Sequence, residues 1–206
     1  MLTEIFQGLS QTLTLWLMNM GLALSIALAL GYWMQYLFLE SSRPQAILAN
    51  VKLLLKALAN LPFLILILLI IPDKFSPLLP LTLVAIPYLS LEFLKIIESY
   101  DTENWRVFKN YGFNFSQFFI KIFLSEQRII ISKKITYFAI YSLQFCLLTE
   151  AFTSHGLGKL LVLKAYPDFD LQFLLLSAVL LIAIGLLIKL SYDWLHNHFK
   201  NQLLVK

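Results

Sequence analysis

The sequence predicts an all-α, polytopic membrane protein built as one transmembrane domain over residues 1–206. Three observations predict it. Apolar residues make up 59% of the chain and charged residues only 14%. The charges fence off long uncharged blocks: between Glu4 and Glu40, Lys56 and Asp73, Lys74 and Glu92, Lys134 and Glu150, and Asp170 and Lys189. A soluble helical core does not segregate its charges in this way, whereas a bilayer requires about 20 apolar residues per crossing helix. The third observation is the one-sided placement of Lys and Arg described below.

Five spans follow, at about Thr12–Leu39, Ile47–Ile71, Pro77–Lys95, Ile131–Phe152 and Leu171–Tyr192. Each must be helical, because the hydrocarbon offers no water to unpaired backbone groups. The second and fourth are the weakest in isolation. Lys52 and Lys56 extend the second by letting their stems lie in the acyl region. Pro62, Pro80 and Pro87 fall inside spans and each removes a backbone donor. Local loosening suits a helix that lines a path, yet proline is also common in membrane helices, and both readings stand. The first block is too long for a secretory h-region and lacks a basic start, so it reads as a retained anchor.

Five spans put the termini on opposite sides. With the N-terminus outside and the C-terminus in the cytoplasm, only Lys74, Lys159 and Lys164 of the 16 Lys and Arg residues lie outside. The other side then holds the great majority, a clear positive-inside bias. The net charge of +4 therefore reflects topology and not nucleic-acid binding. Trp33, Tyr36, Tyr192 and Trp194 fit an aromatic belt at the inner interface.

The inside segment of residues 98–128 is more than a linker. Asp101 or Thr102 is placed to cap a short helix, and Gly112 to end it with positive φ. Asn114 and Gln117 have capping-box spacing for a second helix. That helix sets Phe115, Phe118, Phe119, Ile122 and Phe123 on one face and Lys121 on the other. Helix, glycine turn, helix is the expected order. By pattern alone the segment also reads as an interfacial amphipathic helix without a partner, and pattern alone favours that reading.

Chemistry is sparse. No Gly-rich phosphate loop ending in Gly-Lys-Ser/Thr occurs, so ATP is not expected to bind this chain. His196 and His198 are spaced so that they do not share a helix face, and no metal site is expected. Cys146 is the one cysteine, a small core residue that leaves the redox compartment unreadable. Glu150 is the conspicuous charge, ending an uncharged run at the outer end of the fourth span. It has three readings: facing the path, pairing inside the protein with Lys159 or Lys164, or lying at headgroup level.

The arrangement resembles the permease subunits of binding-protein-dependent ABC importers over nearly the whole chain from Gly8. Gly112 falls on the glycine of their cytoplasmic EAA coupling loop. Trp105-Arg106-Val107-Phe108-Lys109-Asn110-Tyr111-Gly112 takes the place of the coupling helix. Ile122-Phe123-Leu124-Ser125 takes that of the Leu-Pro ending, with Ser for Pro. Gly8-Leu9-Ser10-Gln11-Thr12-Leu13 is similar to the family's Gly-Leu-x-x-Thr-Leu opening. His155-Gly156-Leu157-Gly158 is similar to its Gly-Leu-Gly turn. The segments Leu61–Ile71-Pro72, Pro80-Leu81-Thr82 and Ala85-Ile86-Pro87-Tyr88 resemble methionine-type permeases. Thr149-Glu150-Ala151 looks more like nitrate, sulfonate and taurine permeases. Arg106-Val107-Phe108 departs from the acidic-small-small signature of the loop.

The resemblance implies a permease subunit for a small polar nutrient, with methionine or a related amino acid first and a small organic anion such as a sulfonate second. It implies a second permease subunit, like or unlike, two ATPase subunits carrying ATP and Mg, and an extracytoplasmic solute-binding protein. The implied ATPase-coupling residues are Trp105, Arg106, Val107, Phe108, Lys109 and Gly112. Pro62, Pro87 and Glu150 are the candidates for the path or gate. A non-transporting scaffold derived from such a permease is the alternative that the altered loop motivates; a membrane enzyme finds no site to support it.

Overall fold

A computed structural model of the chain describes residues 2–40, 44–60, 63, 65, 67, 76–100, 102–153, 156–165 and 171–204. Among the described residues there is no strand. Four helices among these residues are long and apolar enough to cross a membrane. They are α1 (Leu2–Glu40), α3 (Leu78–Glu98), α5 (Phe115–Thr153) and α7 (Leu171–Leu204). Shorter helices are α2 (Pro44–Leu58), α4 (Thr102–Asn110) and α6 (Gly156–Leu160).

Helices α1 and α3 form the main pairing, with α2 against both and α5 against α1 and α3. Small residues let α1 approach closely, as in membrane bundles generally. Ala23 and Ala27 are fully buried in the same core as Leu89 and Phe93, and a methyl group at Gly31 would meet Phe93 at 3.6 Å. Pro87 is buried within α3 without ending it. A second, smaller core at the opposite end joins Ile5 and Leu9 of α1, Leu157 of α6 and Phe173 of α7. Leu175, Val179, Ile182, Leu186 and Leu190 leave one face of α7 exposed, as expected of a helix that meets lipid.

The structure corrects two of the expected boundaries. The second span is interrupted: α2 stops at Leu58, and its 15 residues cover about 22 Å, too little to cross. Asn60 causes a fresh start. Its Oδ1 accepts from Phe63 N at 3.1 Å and its Nδ2 donates to Lys56 O at 3.3 Å. Phe63, Ile65 and Ile67 beyond it are helical again, and Ile67 packs with Val84 and near Phe145 and Leu148. Pro62 lies outside the described residues.

The second correction concerns the helix after Gly112 and the fourth span, which are one continuous element, α5, of 39 residues. Ser125 explains the continuity. A proline there would remove a backbone donor and clash with the preceding turn; serine does neither. One widened turn, Phe118–Phe123, lies inside α5, with Leu124 N donating to Phe119 O in the i→i+5 pattern of a π-bulge.

Candidate functional site: a coupling loop and a three-motif junction

The loop between α3 and α5 is built by two capping devices. Helix α4 ends in a Schellman motif. Phe113 N donates to Phe108 O at 3.1 Å and Gly112 N to Lys109 O at 3.0 Å, while the Phe108 and Phe113 rings meet at 5.4 Å. Gly112 has φ +82°, the left-handed conformation this motif requires. Helix α5 then opens on a reciprocal capping box: Gln117 N donates to Asn114 Oδ1 at 2.8 Å and Asn114 N to Gln117 Oε1 at 3.3 Å. Both devices follow the sequence expectation.

An aromatic cluster fastens this loop to the membrane helices. Trp105 is buried and lies 5.0 Å from Phe118 and 5.8 Å from Phe115, centroid to centroid. Tyr32 on α1 meets Phe115 at 4.9 Å and Phe119 at 5.2 Å, edge to face, and its hydroxyl lies 2.8 Å from Ser116 Oγ. Tyr100 meets Phe123 at 5.1 Å and donates to Glu126 Oε2 at 2.7 Å. Such ring pairs add roughly 0.5–1.5 kcal/mol each beyond area burial. The sequence reading of Phe115, Phe118, Phe119 and Phe123 as one apolar face is met; the face packs inside the chain.

Glu40, the last residue of α1, closes the arrangement. Its carboxylate accepts from Lys109 Nζ at 2.8 and 3.0 Å and from Trp105 Nε1 at 3.2 Å. Sequence reasoning passed over Glu40 and Tyr32. The available signal was position: Glu40 is the first charge after the long uncharged block, at the end where the loop must dock.

These contacts divide the six predicted coupling residues. Trp105, Phe108 and Lys109 hold the loop onto the chain's own helices. Arg106 and Val107 point outward, with Tyr111 one turn on from Val107, and Gly112 is exposed. Val107 is 50% and Tyr111 78% exposed, a paired apolar patch beside a cation that no described residue covers.

At the far end of the helices a second site assembles from three separated motifs. The Thr12 hydroxyl donates to Glu150 Oε2 at 2.7 Å and accepts from Leu157 N at 3.0 Å. Gly158 N donates to the same Oε2 at 3.1 Å. Gly156 has φ +60°, and a methyl group on it would lie 2.2 Å from Glu150 Oε1. A methyl group on Gly158 would lie 2.2 Å from Leu147 O, and one on Gly8 would lie 2.7 Å from Leu160 Cδ1. Gly156 and Gly158 are therefore steric requirements of the junction, whereas the Leu160 tip could give way at Gly8; Glu150 is its polar centre. Glu150 is 1% exposed: α6 folds back over the carboxyl group and removes it from the surface. Thr12 and Gly158 are partners of Glu150 among the described residues; the Lys164 side chain lies outside them. Pro87 is buried in the middle of α3.

Trp33 and Trp194 are exposed, as an aromatic belt requires, whereas Tyr36 also packs on Phe115 at 5.3 Å. Cys146 is buried, its thiol 3.7 Å from Thr12 O. Among the described residues no group of His, Cys, Asp and Glu is placed to hold a metal ion.

The fold is that of ABC transporter permeases. The chain is similar to a chain of a solved structure described as inward-facing conformations of the MetNI methionine ABC transporter, in its CY5 native crystal form. The TM-score is 0.82, the sequence identity 21%, and the alignment covers 97% of both chains. No protein-family model matches the chain, and no curated protein matches it.

Proposed function

We propose that the chain is the membrane-spanning permease subunit of an ATP-driven ABC importer for a small polar nutrient. Methionine or a related amino acid is the first choice and a small organic anion such as a sulfonate the second. The observation that carries the reading is the end-to-end likeness in fold to a chain of a methionine ABC transporter. The capped loop supports it. Of its departures from the usual signature Phe108 is packed, supplying the ring contact of the Schellman motif, while Arg106 and Val107 face outward. That speaks against a scaffold with a vestigial loop.

On this reading the Arg106, Val107 and Tyr111 face seats on an ATPase subunit that carries ATP and Mg. A second permease subunit completes the path, an extracytoplasmic binding protein delivers the substrate, and closure of the ATPases moves α4. The C-terminus and the loop lie in the cytoplasm. Co-purification from the membrane with identification of subunits by mass spectrometry tests the assignment. An ATPase subunit is expected with the unaltered chain, and its loss is expected with Arg106→Glu or Val107→Asp. Retention of the ATPase by both variants, or recovery of the chain with no ATPase, overturns it.

A further inference from the structure

Glu92, Lys95 and Lys134 form an ion-paired trio between α3 and α5. Lys134 Nζ lies 2.6 Å from Glu92 Oε2, and Lys95 pairs with Oε1 of the same carboxylate. The Glu92 side chain is only 12% exposed, that of Lys134 37%. One carboxylate between two ammonium groups leaves a positive charge over. The trio sits inside two helices long enough to cross a membrane, with Glu92 six residues, or about 9 Å, from the end of α3. Ionisable groups at such depth face a water-filled cavity or a protein partner, because exposure to lipid is costly.

A cavity of about 250 Å³ opens over the pair, lined by Tyr88, Glu92, Lys134, Tyr137 and Tyr141. The Tyr88 ring is fixed against Phe138 at 5.7 Å, and Lys133 lies 6.0 Å from the Tyr137 ring centre. Tyr137 and Tyr141 are half exposed. An ammonium carries three donors, and Glu92 does not occupy all of those on Lys134. The cavity thus offers a charged donor at its base and phenol rings at its walls, in a volume suited to a metabolite.

Resting on the permease reading above, we propose that this notch is a binding site on the path for the carboxylate end of an α-amino acid. Lys134 Nζ takes the carboxylate, Glu92 holds Lys134 in place, and the tyrosine rings receive the remainder, including its ammonium by cation–π contact.

The test uses the full-length chain in lipid nanodiscs with a reporter thiol at the rim, introduced by Lys133→Cys beside the Tyr137 ring. The native Cys146 is fully buried and stays silent. Maleimide labelling is followed with and without a millimolar mixture of the nineteen thiol-free amino acids, and with their methyl esters. The amino acids slow labelling at least threefold, the esters do not, and a thiol introduced by Tyr111→Cys is unaffected. Adding Lys134→Gln removes the protection and Lys134→Arg keeps it. No protection by the mixture, equal protection by the esters, or protection that survives Lys134→Gln overturns the site. If protection fails while the ATPase still co-purifies, the site is wrong and the permease reading stands; protection without an ATPase has the reverse meaning.

Discussion

Thr12 and Glu150 are 138 positions apart in sequence and 2.7 Å apart in space, so one hydroxyl ties the start of α1 to the end of α5. The same hydroxyl accepts from Leu157 N, which brings α6 into the bond network. Removing it strands the buried Leu157 N and takes one of the bonds to Glu150 Oε2, which keeps Gly158 N. Thr12→Val is expected to cost about 1–3 kcal/mol, whereas Thr12→Ser keeps the hydroxyl and is tolerated. Thermal unfolding in detergent measures both, and equal midpoints for the two variants would contradict the network. A cycle with Glu150→Gln should show less than additive loss. Glu150→Gln is also expected to impair uptake while leaving affinity for the binding protein unchanged.

The glycines should rank by what surrounds them. Gly158→Ala drives a methyl group into backbone at 2.2 Å and is expected to prevent stable accumulation. Gly156→Ala meets the Glu150 carboxyl group and carries positive φ as well. Gly112→Ala meets nothing within 4 Å, so it bears only the left-handed backbone cost of about 1–2 kcal/mol. Expression level and melting point across the three variants check the order; a Gly112 variant worse than the Gly158 variant reverses the argument.

The Glu40 clamp predicts a local effect. The Lys109 side chain is 56% exposed, and a pair so wet contributes under about 1 kcal/mol. Glu40→Gln should leave global stability nearly unchanged while speeding amide hydrogen exchange across Thr102–Asn110. Exchange that stays slow there would show that the aromatic cluster alone holds α4.

Orientation is testable without any partner. Cysteines placed at Glu4 and Lys159 are expected to react with an impermeant reagent from outside, and those placed at Lys109 and Lys200 only after the membrane is opened. The basis is the skewed distribution of Lys and Arg. Labelling of position 109 in intact cells inverts the topology and removes the coupling role.

Local chemistry was legible before the structure. Gly112 as a positive-φ stop and Asn114 with Gln117 as a capping box were readable because both depend on residues a few positions apart. The breaks and fusions were not. The restart at Asn60 depends on one amide competing for backbone inside an apolar run, and the fusion of α5 depends on the absence of a breaker near Ser125. Long-range pairs were hidden for a different reason. The Gly8–Thr12, Thr149–Glu150 and Gly156–Gly158 motifs were each visible, but hydropathy gives no register between helices. Their meeting, like the pairing of Glu40 with Lys109 and of Glu92 with Lys134, emerges only from packing.

The uninterrupted course of α5 has a mechanical consequence. Its 39 residues make a shaft of about 58 Å, with Ser116 bonded to Tyr32 near one end and Glu150 seated under α6 near the other. A tilt of about 5° at the loop would swing the far tip by about 5 Å over that length, more than enough to part Glu150 from Thr12. The regular ladder is broken at the widened turn Phe118–Phe123, whose rings meet Tyr32 and Tyr100. Stiffness above that joint and grip around it would let a small push at the loop end arrive, amplified, at the bond between Thr12 and Glu150.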